Sequence, residues 1–163
     1  MELSMNLDFA VSLPVITPAP WVADWLWGLP LIAVTVTIHV FGLLLIDKRI
    51  AGIQRNVVEH YGYALVFMLI IGGTAILAAV LHGIEGAMWA AAYRIVGALP
   101  DYRDSVLYSL GAMTTYGHSE MILEKQWRLM GDLEALDGML LFGLTTAFLF
   151  GIIQRARDLR SKH

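Results

Sequence analysis

The sequence predicts an all-α integral membrane protein with three transmembrane helices and a short re-entrant helix and loop between the second and the third. Hydrophobic residues make up 58% of the chain, charged residues only 15%, and the mean hydropathy is +0.65. These values are far from those of the average soluble domain. Three apolar runs are each long enough to cross a bilayer core of about 30 Å at about 1.5 Å per residue. Lys and Arg residues flank these runs in short groups.

The first apolar run extends from Trp25 to Ile46, the second from about Tyr61 to Glu85, and the third from about Leu133 to Ile153. Residues 1–24 hold acidic side chains, three prolines and no Lys or Arg. This composition does not fit the positively charged start of a secretory signal peptide. We therefore expect residues 1–24 to form an extracellular or periplasmic tail.

The distribution of basic residues predicts the orientation in the membrane. They follow the first run and the third run, at Lys48, Arg49 and Arg55 and at Arg155, Arg157, Arg160 and Lys162. Because cytoplasmic segments carry the excess of Lys and Arg, both groups should face the cytoplasm, and the N-terminus should lie outside. We expect a peripheral transmembrane helix and cytoplasmic linker over 25–60, a basic cytoplasmic tail over 156–163, and no soluble regulatory domain in this chain. We expect the membrane to be the inner or plasma membrane of the cell.

Composition also excludes several classes of function. The formal net charge of -3 and the scattered basic residues do not indicate nucleic-acid binding. Because the chain has no cysteine, it has no disulfide framework, thiolate metal site or thiol nucleophile.

Residues 87–131, between the second and third runs, should start and finish on the outer side of the membrane, opposite the cytoplasm. In "LPDYRDSVLYSLGAM" we expect Pro100 to break the preceding helix and Asp104 or Ser105 to cap a new helix of about nine residues that ends at Met113. Such a helix is about 13 Å long, roughly half a membrane. The polar run "TTYGHSE" follows, which indicates a re-entrant loop. Irregular backbone at membrane depth is tolerated only inside protein or beside a water-filled cavity, so the loop indicates a pore or binding cavity. The carboxyl end of the helix favours a cation there.

The run "TTYGHSE" resembles "TTVGYGD", the filter of the tetrameric potassium-channel pore-domain family, in which backbone carbonyls replace the hydration shell of the ion. Thr114 and Thr115 match the two threonines, Tyr116 stands for the valine, and Gly117 for the first glycine. The tyrosine, second glycine and aspartate are replaced by His118, Ser119 and Glu120. Two further segments are similar to that family, "WRL" at 127–129 and the inner-helix pattern "DGMLLFGLTTAFL".

The resemblance implies a pore domain over 61–155, made of an outer helix, a pore helix, a filter and an inner helix. It implies a homotetramer in the lipid bilayer that conducts monovalent cations, potassium first, and is not an enzyme. No cofactor is expected apart from the permeant cation. The ion-binding filter would consist of Thr114, Thr115, Tyr116, Gly117, His118 and Ser119, with the monovalent cation bound at Thr115, Tyr116 and Gly117. Gly138 and Gly143 are candidates for a gate or hinge of the inner helix, or for close helix packing.

The departures from the family motif leave alternatives open. An L-residue such as Ser119 resists the positive φ that glycine adopts, so selectivity does not follow from the resemblance. His118 is either an exposed loop histidine or a pH sensor that repels cations when protonated. Glu120 either attracts cations at the outer mouth or belongs to a solvated rim. The alternative function is a non-conducting sensor or a subunit that modifies a channel.

Ionisable residues inside the apolar runs suggest further roles. His39 has either a proton-linked role or a neutral imidazole that bonds to a neighbouring helix. His82 and Glu85 share a helix face, but two ligands are too few for a metal site, so we expect a local hydrogen bond. His39 and His82 join His118 as pH-sensing candidates. A membrane enzyme that uses His82 and Glu85 together with His39 is a third alternative. Against it, the sequence shows no third metal ligand clustered with His82 and Glu85. Four aromatic residues are expected to be interfacial anchors, namely Trp25, Trp27, Trp89 and Tyr93.

Overall fold

The structure, a computed structural model, describes residues 21–61, 63–117 and 121–160, with the side chains of 51–63 and 157–160 outside that description. Nearly all of this part of the chain is helical and none of it is a strand. Its α-helices are α1 (Trp21–Tyr61), α2 (Tyr63–Ile95), α3 (Tyr102–Met113) and α4 (Arg128–Arg160), and a 3-10 turn, Lys125–Trp127, precedes α4. Helices α1, α2 and α4 are long and apolar enough to span a membrane. The prediction of a helical protein with three helices suited to span a membrane is confirmed for the described residues.

Each spanning helix is longer than the apolar run that predicted it. The parts that are long and apolar enough to cross a membrane are Trp21–Ile50, Ala64–Ile95 and Lys125–Ala156. Hydropathy identifies the residues that suit lipid, whereas a helix ends where its backbone hydrogen bonding stops. Lys, Arg and Glu are good helix formers, so polar residues beside a span continue the helix instead of ending it.

Helix α2 ends five residues before Pro100, so the expectation that Pro100 breaks it was wrong. Gly97 adopts a left-handed φ of +71° just after the helix. The amide of Ala98 donates to the carbonyl of Tyr93 at 2.9 Å, the six-residue bond of a glycine C-cap. A side chain at Gly97 would strain this turn, and glycine ends the helix for that reason.

Helix α3 begins at a different cap from the one predicted. Asp101, with extended backbone angles, accepts a hydrogen bond from the amide of Arg103 at 3.0 Å. The cap therefore precedes Asp104 and Ser105, and the helix has 12 residues instead of about nine. At about 1.5 Å per residue it is about 18 Å long, well short of a full bilayer core.

The helices pack into one bundle. Helix α1 lies against α2 and α4, and α3 is wedged between α2 and α4. Asp24 of α1 accepts a hydrogen bond from the amide of Met130, one of the unpaired amides in the first turn of α4, at 3.1 Å. The main buried apolar cluster is formed by α2, α4 and the segments on either side of α3, and it contains Trp89, Ala92, Tyr93, Ala98, Leu99, Leu123, Met130 and Leu133.

Candidate functional site

The loop predicted to bind ions begins at the carboxyl end of α3. The amide of Thr114 donates to the carbonyl of Leu110, and the amide of Thr115 donates to the carbonyl of Ala112 at 2.9 Å. The amide of Gly117 reaches back to the carbonyl of Gly111 at 3.1 Å. The last turn of α3 therefore holds the first four residues of the loop against the end of the helix.

The backbone of this loop is strained at Thr115. Its φ is +56°, and Thr115 is the only non-glycine residue with a positive φ among those the structure describes. Gly117, two residues later, has a φ of +71°. A positive φ is a genuine outlier for a β-branched residue, and such outliers persist at functional sites where the surrounding structure enforces them.

The loop is exposed on the surface of the single chain. Tyr116 has 85% of its surface exposed, and Thr114, Thr115 and Gly117 are exposed as well. The residue that precedes the loop, Met113, is buried. The loop is thus anchored to α3 on one side and exposed on the other.

Gly138 sits where α4 passes the carboxyl end of α3. A Cβ atom at Gly138 would lie less than 3 Å from the Cα and carbonyl atoms of Met113. Glycine is required here for close approach, which agrees with the packing interpretation of this residue. A Cβ atom at Gly143, in contrast, would meet nothing within 4 Å.

A buried hydrogen-bond network holds α3 to the two spanning helices around it. Glu134 of α4 accepts a hydrogen bond from the hydroxyl of Tyr93 at 2.6 Å and another from Ser109 of α3. The hydroxyl of Ser109 also lies 2.7 Å from the carbonyl of Gly86. Glu134 and Ser109 are completely buried. This network positions the helix that carries the loop.

A second buried acid, Asp137, ties α4 to the other two spanning helices. Its Oδ2 accepts hydrogen bonds from Thr35 at 2.7 Å and from the indole of Trp89 at 2.9 Å. The expectation that Trp89 and Tyr93 anchor the protein at the membrane interface was therefore wrong, since both are completely buried. Trp25 and Trp27 are exposed, as anchors require.

The structure places His39 beside His82 and Glu85, a contact that spacing along the chain does not predict. His39 Nδ1 lies 2.9 Å from Glu85 Oε1, and His82 Nδ1 lies 3.3 Å from Glu85 Oε2. Thr145 of α4 joins the group, with its hydroxyl 3.0 Å from His39 Nε2 and 3.2 Å from His82 Nε2. The expectation that no third ligand lies near His82 and Glu85 was wrong. The expected contact of His39 with a neighbouring helix is present.

Three polar residues of α4 were missed from the sequence, namely Glu134, Asp137 and Thr145. A signal was available, because the two acids lie three residues apart inside an apolar run, and ionisable residues there are functional candidates by default. Thr145 gave no such signal, since threonine is common in membrane helices. Of the predicted site residues, His118, Ser119 and Glu120 lie outside the described part of the chain.

No protein-family model, no curated protein and no solved structure matches the chain. The resemblance to potassium-channel pore domains therefore rests on the loop and inner-helix residues themselves.

Proposed function

We propose that the chain is one subunit of a tetrameric, potassium-channel-like cation channel that allows passive flux of monovalent cations. The observation that carries the proposal is the loop Thr114–Gly117. It combines a strained, exposed backbone with an anchor at the carboxyl end of a short helix that is wedged between two membrane-spanning helices. The filter of this channel consists of Thr114 to Gly117 together with His118 and Ser119.

The length of α3 supports a re-entrant path. Its 12 residues extend about 18 Å, so a helix that enters the bilayer ends near the middle of it. Non-helical backbone at that depth is stable only within protein or along a water-filled cavity. The loop that follows α3 fulfils this condition when its exposed side lines a pore.

The end of α3 also suits a cation. The last carbonyls of a helix carry negative partial charge, which stabilises positive charge nearby. Loop carbonyls then replace the waters that a monovalent ion loses on entry. Glu120, which follows the filter residues in the sequence, adds negative charge at the mouth of the proposed pore.

A single loop offers too few oxygen atoms to surround a dehydrated cation, and rotational symmetry supplies the others. The exposure of Thr114 to Gly117 in one chain fits a loop whose remaining contacts come from three identical neighbours and from ions. In the tetramer α2 is the outer helix, α4 the inner helix and α1 a peripheral helix. The basic ends of α1 and α4 face the cytoplasm.

Gly138 and Gly143 contribute differently to the inner helix. Gly138 fixes the contact between α4 and the end of α3, so α4 cannot move there without disturbing the filter. Gly143 has open space around it, and α4 bends there if it acts as a gate. We place the gate beyond Gly143, where movement of α4 would open and close the cytoplasmic end of the pore.

Cation flux into liposomes tests the proposal. The full-length protein is reconstituted, and uptake of potassium and of sodium is compared with that of protein-free liposomes. Flux of potassium above sodium is the expected result, and equal flux of both ions still supports a channel with an unselective filter. Absence of flux from correctly assembled protein would contradict the proposal and favour a non-conducting subunit. The sequence feature that suggests such a subunit is Ser119, which replaces a glycine of the family's filter.

A further inference from the structure

Four polar side chains form a closed ring inside the bundle, away from the loop, and we name it the His–Glu ring: His39, His82, Glu85 and Thr145. Each pair of neighbours in the ring is separated by between 2.9 and 3.3 Å. His39 and Glu85 are completely buried, and the ring of His82 stacks on Phe142 with 4.4 Å between ring centres. The ring connects α1, α2 and α4.

The His–Glu ring has four contacts but only three protons to form hydrogen bonds. Three of its contacts are hydrogen bonds, and each needs one proton. Two neutral imidazoles and the hydroxyl of Thr145 supply these three protons when Glu85 is ionised. In this arrangement His39 donates to Glu85, Thr145 donates to His39, and His82 donates to Thr145.

The fourth contact then has no proton. His82 Nδ1 and Glu85 Oε2 face each other at 3.3 Å, and both are buried atoms without a hydrogen-bond partner. Two lone pairs therefore point at the same space in the interior of the protein. Buried polar atoms rarely remain in this state, because leaving them unpaired is unfavourable.

The distance between these two atoms distinguishes a metal ion from an added proton. Zinc lies about 2.0–2.2 Å from nitrogen and oxygen ligands, so two ligands of a tetrahedral zinc ion are about 3.3–3.5 Å apart. A charge-assisted hydrogen bond would instead hold nitrogen and oxygen about 2.7–2.9 Å apart. The 3.3 Å between His82 Nδ1 and Glu85 Oε2 matches the spacing of metal ligands, whereas the 2.9 Å between His39 Nδ1 and Glu85 Oε1 is a hydrogen-bond distance, so His39 gives up this bond when its Nδ1 binds a metal.

A third ligand and a supporting hydroxyl are in place. One ligand atom from each of His39, His82 and Glu85 lies within 4.8 Å of the others. When both Nδ1 atoms bind the metal, both Nε2 atoms carry protons, and the two lone pairs of Thr145 accept them. Histidines that bind metals normally donate their other N–H to such a partner, which fixes the ring orientation.

The charge around the ring also favours a bound cation. Asp137 interacts electrostatically with Glu85 and His39, and its Oδ1 has no hydrogen-bond partner. No Lys or Arg in the described part of the chain forms an ion pair with either acid. Two carboxylates in a nonpolar interior are stabilised by positive charge next to them.

We propose that His39, His82 and Glu85 bind one divalent transition-metal ion of the zinc class, with Thr145 orienting the two imidazoles. Two imidazoles and one carboxylate are ligands that zinc accepts, and three protein ligands leave a fourth position open for water. The bound ion joins α1 to α2 and, through Thr145, to α4. This site does not depend on whether the loop conducts ions.

Zinc binding to the purified protein tests the site. The full-length, tag-free protein in lipid nanodiscs is incubated with zinc, separated from free metal, and analysed for metal content by mass spectrometry. We expect about one zinc ion per chain. X-ray absorption at the zinc edge should show nitrogen and oxygen ligands with imidazole scattering and no sulfur, since the chain has no cysteine.

Variants link the metal to the ring. His82→Ala and Glu85→Gln each remove a ligand and should lower the bound zinc to the level of a protein-free control. Thr145→Val keeps the shape of the side chain and should weaken zinc affinity about 10–100-fold in competition with a chelator. Thr146→Val is the matched control, because that hydroxyl is exposed and bonds only to the carbonyl of Phe142.

His60→Gln is a second control, since it removes a histidine of α1 beyond the membrane-spanning part. Both control variants should bind zinc as the wild type does. Zinc at the protein-free level in wild-type protein would overturn the proposal and leave a ring that holds at most a proton. Equal zinc content and affinity in the wild type, Glu85→Gln and Thr145→Val would place any bound metal elsewhere and would overturn it too.

Discussion

Replacing Gly117 by alanine tests whether the loop backbone is part of an ion path. A Cβ atom at Gly117 would meet nothing within 4 Å in the chain, so the substitution is not a steric one. Its effect comes from the φ of +71°, because a left-handed conformation costs an L-residue about 1–2 kcal/mol. In a tetramer this penalty occurs four times, about 4–8 kcal/mol in total.

We expect the loop to relax away from its native conformation and cation flux to fall at least tenfold. A free-energy difference of about 1.4 kcal/mol corresponds to a factor of ten. We therefore expect a tenfold fall in flux even when relaxation of the loop offsets most of the combined penalty of the four subunits. The assay is cation uptake by liposomes that contain equal amounts of each protein. Gly72→Ala is the matched control, because a Cβ atom there also meets nothing within 4 Å, while Gly72 lies within α2. Equal flux in Gly117→Ala and the wild type would refute the role of the loop backbone.

Three further predictions address the support of the loop and its response to pH. Gly138→Ala should lower thermal stability and flux together, because its Cβ would lie less than 3 Å from backbone atoms of α3. Tyr93→Phe should lower the free energy of unfolding by about 1–3 kcal/mol, since Glu134 loses a buried hydrogen-bond donor, and the melting temperature measures this. If His118 controls access, flux should change between about pH 5.5 and 7.5, lower at the acidic end where the imidazole is charged, and His118→Tyr should abolish the change.

Matched variants make these predictions specific. Gly143→Ala is the control for Gly138→Ala, because its added Cβ meets no atom within 4 Å and should leave stability unchanged. Tyr102→Phe is the control for Tyr93→Phe, because it alters an exposed tyrosine at the start of α3. A Gly138→Ala protein as stable as Gly143→Ala would refute the close approach of α4 to α3. Equal melting temperatures for Tyr93→Phe and Tyr102→Phe would count against the buried network. A pH response that survives in His118→Tyr would exclude His118 as its origin.

The spanning helices could be predicted from the sequence because a membrane imposes a simple condition, about 20 consecutive apolar residues. The short helix after α2 was predictable for the same kind of reason, since its apolar stretch is bounded by turn and cap residues. The ends of the helices were harder to predict from the sequence. Asp101, Asp104 and Ser105 are all competent N-caps, and only the extended backbone at Asp101 decides among them. Helix α2 likewise ends at a Gly97 cap, before it reaches Pro100.

The buried polar network could not be derived from spacing along the chain. Glu85 and His39 are 46 residues apart, and Thr35 and Asp137 are 102 residues apart, so their contacts depend on how the helices pack. Trp89 was misplaced for a related reason, because hydropathy cannot distinguish an aromatic side chain at the membrane surface from one that donates to a buried acid. Residues of this kind become visible only when the facing helix is known.

From the sequence, only the resemblance of its motif indicated a conformation for this loop. Thr114 and Thr115 after an apolar helix suggest a filter, but the positive φ of Thr115 is a property of the folded chain. The sequence and the strained backbone are therefore two separate reasons to place the ion path at this loop.

The most direct test of the channel is the electrical current through planar bilayers that contain the wild-type protein, with potassium on one side and sodium on the other. We expect a cation current that requires the protein, with a reversal potential shifted toward that of potassium. The same current should fall at least about tenfold in Gly117→Ala and persist in Gly72→Ala. Bilayers that contain assembled tetramer and show no current above the protein-free background would contradict the account.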